Sequence, residues 1–73
     1  MFLSDLKENQ SAVIVFSEGE SVFGRRLCDM GFCEGEKVLC VKRALFGSPV
    51  LYRVKESNAA LRTADAKRIE VVL

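Results

Sequence analysis

The sequence predicts a mainly β protein: a small barrel of about five strands, with one short helix inserted after the first strand and a short helical turn near the C-terminus. Three observations lead there. Short apolar runs rich in β-branched residues recur between turn signals, helical periodicity is confined to residues 22–30, and 73 residues leave room for one core only. Residues 1–73 are therefore read as a single domain, with no linker, repeat or low-complexity segment.

Leu3-Ser4-Asp5-Leu6 reads as a turn or 3₁₀ lead-in that sends two leucines into the core, and Ala12 to Phe16 as the first strand, ended by Glu18-Gly19-Glu20. Ser21 is placed to cap a helix over Val22 to Met30, because its hydroxyl accepts from an orphan N–H of the first turn. Phe23, Leu27 and Met30 fall on one stripe of that helix. Gly31 stops it in a left-handed conformation, which sets Phe32 against Leu27. After Glu34-Gly35, a strand over Glu36 to Ala44 and another over Val50 to Glu56 form a hairpin joined by residues 45–49. Val50, Tyr52 and Val54 alternate with Leu51, Arg53 and Lys55, the period of a half-buried strand. Ser57-Asn58 then turns the chain into a strand over Ala59 to Arg62. Thr63 caps a helical turn over Ala64 to Arg68, and Ile69 to Val72 is the last strand.

Composition narrows the function. The chain is 49% hydrophobic and 29% charged, a globular balance. It has no run near the roughly 18 apolar residues of a membrane helix and no basic-then-apolar leader, so a cytoplasmic location is expected. Three cysteines, an odd number, fit a reducing compartment. A net charge of +1 gives little general attraction to nucleic acid, although residues 1–41 are net −3 and residues 42–73 net +4.

An ordered set of landmarks resembles the ferrous iron transport protein A (FeoA) family along nearly the whole chain. It comprises Leu3-Ser4-Asp5-Leu6, Ile14, Arg26-Leu27, Met30-Gly31, Gly35, Val38, then Ala44, Gly47 and Pro49, and finally Leu61-Arg62 with Ala66, Ile69 and Val71. The sequence departs from that pattern in three places. Glu8-Asn9-Gln10 lacks the family's glycine before the first strand, Leu45 and Ser48 stand where proline and aspartate are common, and Glu56-Ser57 replaces a usual glycine. The resemblance implies an SH3-like barrel, a cytoplasmic place, and association with a membrane ferrous iron permease that carries a GTP-binding domain. The chain would then be peripheral to the membrane through that partner. A weak homo-oligomer is compatible with this reading.

Catalysis lacks its usual tools. There is no His, and no Gly-x-Gly-x-x-Gly or Walker-type Gly-Lys-Ser/Thr, so no catalytic residue, nucleotide site or cofactor is assigned. Glu18 with Glu20 and Glu34 with Glu36 read as solvated charges beside turns rather than acid–base pairs. Cys28 and Cys33 are the candidates for metal ligation, but they are not in a Cys-x-x-Cys knuckle and have no histidine support. Cys40 shares the parity of core residues and reads as a small buried hydrophobe.

Function is therefore sought on the surface. Leu39, Val41, Leu45, Phe46 and Leu51 are apolar where alternation assigns solvent, which makes the outer hairpin face a candidate partner-binding patch. Arg25 and Arg26 on the helix are candidates for a bidentate contact. Lys42, Arg43, Arg53 and Lys55 also share the hairpin, yet no row of aromatics accompanies them, so no nucleic-acid partner is expected. The second reading is an SH3-like regulatory or nucleic-acid-binding module, as in the C-terminal domains of iron-dependent repressors. It ranks second because these 73 residues hold no DNA-binding domain.

Overall fold

A computed structural model describes residues 1–16, 21–44 and 48–73. The expected turn at Glu18-Gly19-Glu20 and the loop residues Leu45, Phe46 and Gly47 lie outside the described residues. A 3₁₀ turn over Leu3–Asp5 leads into β1 (Ser11–Phe16), α1 (Val22–Asp29), β2 (Lys37–Arg43), β3 (Val50–Val54), β4 (Ser57–Leu61), α2 (Thr63–Ala66) and β5 (Glu70–Val72). The strands form one antiparallel sheet in the order β4-β3-β2-β1-β5. It curls round its core without a ladder between β4 and β5 among the described residues. This is the predicted mainly β architecture with its inserted helix.

The core follows from strand parity. Val38 and Cys40 on β2, and Val50, Tyr52 and Val54 on β3, are buried with Ala12, Ile14 and Val71. Leu3, Leu6 and Ile69 close the ends, all fully excluded from solvent. Two ladders shift register, between Cys40 and Lys42 on β2 and between Ile14 and Phe16 on β1. Such bulges bend and twist a strand, which is how so short a sheet wraps a core.

Helix α1 begins as predicted: the Gly24 N–H donates to Ser21 Oγ at 3.0 Å. It ends on Gly31 at φ +104°, where the Phe32 N–H donates to the Leu27 carbonyl at 2.8 Å and the Gly31 N–H to that of Cys28 at 2.9 Å. These are the two bonds of a Schellman stop. A Cβ at Gly31 would lie 3.1 Å from Val54 Cγ1, so close packing and backbone both call for glycine. Phe32 is thereby driven into the core, edge-on to Tyr52 with centroids 6.2 Å apart. Met30, expected on the buried stripe, is the C-cap instead and is 41% exposed.

Element ends shift by one or two residues from expectation, most consequentially at the turn before β4 and at the cap of α2. The β3–β4 turn is Lys55-Glu56, not Ser57-Asn58, because both residues take positive φ (51° and 66°), the backbone of a two-residue type I′ hairpin. Arg62, not Thr63, is the N-cap of α2, and it makes no side-chain cap. The Thr63 N–H donates instead to Ser48 Oγ at 3.1 Å.

Candidate functional site

Strand alternation puts a second set of side chains on the outside of the β2–β3–β4 face. Leu51 pairs with Lys42 on one side and Ala60 on the other. Together with Ala44 and Pro49 these residues line a shallow trough of about 250 Å³. Its lining is almost wholly apolar although Lys42 is part of it, as the aliphatic stem of a lysine allows. Of the patch expected from the sequence, Leu51 lies in this trough, while Leu39 and Val41 are half-buried on the same strand as Lys42. Lys42, Ala44, Pro49 and Ala60 were not read as part of that patch. Alanines and a lysine stem carry no signal in a pattern that weighs large apolar residues.

A smaller cleft of about 100 Å³ lies between α1 and the end of β4, lined by Phe23, Arg26, Leu27, Met30, Leu61 and Asp65. Phe23 is covered on one face by the Arg68 guanidinium, 3.8 Å from the ring centroid. Arg26 and Asp65 both line this cleft, and Arg25 is exposed on the same helix. The sequence candidates thus divide between two surfaces, hairpin and helix.

The cysteines are arranged differently from the expectation of a reducing compartment. Cys28 and Cys33 are joined as a disulfide, since the Schellman stop folds the chain back until their Cα atoms are 4.6 Å apart. In this form neither sulfur is a thiolate ligand. Among the described residues no group of three or more His, Cys, Asp or Glu side chains could hold a metal ion. Cys40 is the free cysteine and is buried, which pushes its thiol up despite the nearby Arg43. Burial likewise pushes the Tyr52 phenol up to about 12, with Cys40 adding to the effect. Both groups stay neutral near pH 7 and supply no nucleophile. Glu34 is exposed, and Glu36 pairs with Lys55 at 3.6 Å, so that carboxylate pair does not work in common. Among the described residues no helix is long and apolar enough to cross a membrane.

Arg43, one of the basic residues that share the hairpin, is turned toward the N-terminal segment. Its Nη1 donates to the carbonyls of Ser4 (3.1 Å) and Leu6 (2.7 Å). A charge that anchors the lead-in turn is not available to a phosphate.

The model of the FeoA domain matches residues 1–73. The chain belongs to the FeoA family. It is 44% identical over 73 residues to the Fe(2+) transport protein A/Fe(2+) transporter FeoB fusion protein of Porphyromonas gingivalis, covering 100% of this chain and 9% of that one. This FeoA domain thus spans under a tenth of that relative's length. Among solved structures, iron(II) transport protein A from Clostridium thermocellum superposes with a TM-score of 0.93 at 33% identity, over 100% of this chain and 45% of that one. The zinc-complexed FeoA of Stenotrophomonas maltophilia, described as a procaryotic SH3 domain protein, gives 0.83 at 36% identity, over 97% and 88%. A manganese-dependent transcriptional repressor shares the fold alone, with a TM-score of 0.84 at 14% identity, over 99% of this chain and 40% of that one. An SH3-like FeoA fold in a ferrous iron transport family is therefore established for this chain.

Proposed function

We propose that this FeoA protein is a non-enzymatic, cytoplasmic accessory of ferrous iron uptake that binds a membrane permease carrying a GTP-binding domain, and that in this reducing compartment Cys28 and Cys33 stand as thiols beside a helix stop held by its own hydrogen bonds. One observation carries the reading: a relative 44% identical across the full 73 residues is fused to the Fe(2+) transporter FeoB in one polypeptide. Fusion supplies a very high effective concentration of one partner for the other, a gain that matters only where the two act together.

The trough around Leu51 is the contact surface this reading favours. Apolar side chains at outward positions, flanked by a lysine, suit a partner that offers an apolar anchor beside an acidic group. Iron enters this reading as the permease's cargo, not as a resident of this chain.

The test is titration of the isolated permease GTP-binding domain with this protein by calorimetry. Leu51→Asp is expected to weaken binding by tenfold or more, since burying an unpaired carboxylate is costly. Arg26→Glu examines the helix cleft in the same way. Normal affinity in both variants, with unchanged circular dichroism, removes both surfaces, and no binding by the wild type removes the permease reading itself.

A further inference from the structure

The two edges of the sheet are treated differently. Along β5 the N-terminal residues cover the edge: Phe2 bridges Glu70, the Val71 N–H donates to the Met1 carbonyl at 2.8 Å, and the Leu3 N–H to that of Ile69 at 2.8 Å. Along β4 no such cover exists among the described residues. Its sequence, Ser57-Asn58-Ala59-Ala60-Leu61, contains no charge and no proline, and its ladder with β3 runs without a bulge. These are the devices that keep an edge from pairing with another chain, and β4 has none of them.

Which backbone groups face outward follows from the turn. In a two-residue hairpin the residues flanking the turn, Val54 and Ser57, exchange hydrogen bonds, and the bonded pairs recur at every second residue. Ser57, Ala59 and Leu61 thus spend their N–H and C=O groups on β3. Asn58 and Ala60 direct theirs away from the sheet, and both residues are exposed.

We propose that β4 pairs antiparallel with β4 of a second copy of this chain, about a two-fold axis at Ala59. In that register Asn58 meets Ala60 of the second copy, and Ala60 meets its Asn58. All four outward-facing residues then exchange hydrogen bonds. The same register brings Glu56, in the turn just before β4, beside Arg62 of the second copy, just past the end of its β4, twice, by symmetry. Axes at Asn58 or Ala60 also align outward-facing groups but lose both charge pairs. Charge complementarity therefore selects both the occupant and the register, and the small Ser, Asn and Ala side chains leave the approach open. The two five-stranded sheets become continuous. So few contacts make a small interface of the transient class, governed by protein concentration.

Sedimentation velocity on the full chain tests this. The weight-average mass is expected to climb from the 8.1 kDa of one chain toward twice that between about 10 μM and about 1 mM protein. Glu56→Arg or Arg62→Glu alone weakens association about tenfold, and the double exchange restores it. Ala60→Pro removes outward N–H donors without touching the β3 ladder and abolishes the dimer. Should Ala60→Pro fail to fold, the charge exchanges carry the test alone. A mass of one chain up to about 1 mM overturns the proposal, as does a dimer equally strong in Glu56→Arg.

Discussion

The Tyr52 hydroxyl donates a hydrogen bond to the Leu3 carbonyl oxygen at 3.2 Å, tying the middle of the hairpin to the lead-in turn 49 residues earlier. Both residues are fully buried. The same burial raises the phenol from 10.0 to about 12, so the folded protein keeps a proton that the unfolded chain releases. Where the native state holds more protons, stability falls as pH rises. The contribution is complete below pH 10 and is lost between 10 and about 12. Thermal melts are expected to show a falling Tm across that window. Tyr52→Phe should flatten that part of the profile while lowering neutral-pH stability by about 1 kcal/mol, because the Leu3 carbonyl loses its partner. An unchanged alkaline slope in Tyr52→Phe would assign the loss to other groups.

Glu56 holds φ at +66° in a turn whose geometry favours glycine at its second position. A left-handed non-glycine residue costs roughly 1 kcal/mol, partly offset by the extra freedom glycine has when unfolded. Glu56→Gly is therefore expected to stabilise the monomer by about 0.5 kcal/mol, read as a raised urea midpoint at an unchanged m-value. A lowered midpoint would show that the turn is held by contacts of the Glu56 side chain instead.

That turn also shows where sequence reading stops. The strands around Ile14, Tyr52 and Val71 were legible because large apolar residues at period two have few alternatives, and Ser21 with Gly31 bounded α1 because each has a distinct hydrogen-bonding or backbone role. Lys55-Glu56 gives no turn signal, since neither residue prefers positive φ. The surrounding ladder imposes it. The departures from the family pattern at Glu8-Asn9-Gln10 and Glu56-Ser57 fall on the same physics: Asn9 and Glu56 occupy left-handed backbone, which glycine adopts without strain. The candidate surface was half legible. Leu51 stood out by its parity, but the trough also needs Ala60 from β4, and that neighbour depends on where the unsignalled turn falls. Pairing of Cys28 with Cys33 was hidden because it depends on the path after Gly31, not on spacing.

The Cys28–Cys33 disulfide closes a short loop around the Schellman stop, with a sequence separation of 5. Closing so short a loop constrains the unfolded chain by about 2 kcal/mol. The stop itself is held by its own hydrogen bonds and by buried Phe32, so the reduced protein should keep its fold. Urea unfolding with and without reductant is expected to differ by about 2 kcal/mol. The Cys28→Ser/Cys33→Ser variant should match the reduced wild type and ignore reductant. Loss of cooperative unfolding on reduction would mean that the bond, not the packing, maintains this end of α1.

Arg43 reaches across to the chain's beginning, and its guanidinium is the donor that satisfies two carbonyls of the lead-in segment, those of Ser4 and Leu6. Its own N–H meets Glu8 Oε1 at 3.2 Å, so the carboxylate and the guanidinium fasten the same stretch from two directions. Arg43→Met keeps most of the aliphatic stem but strips both charge-assisted bonds, which costs about 2 kcal/mol. The loss should be local. Amides of Leu3 and Leu6, which bond to Ile69 and Leu3 respectively, are expected to exchange with solvent at least tenfold faster, while the amide of Tyr52 in β3 stays protected. Equal acceleration at Tyr52 would show that the lead-in turn and the sheet unfold as one unit, and that Arg43 stabilises the whole barrel rather than its N-terminal closure.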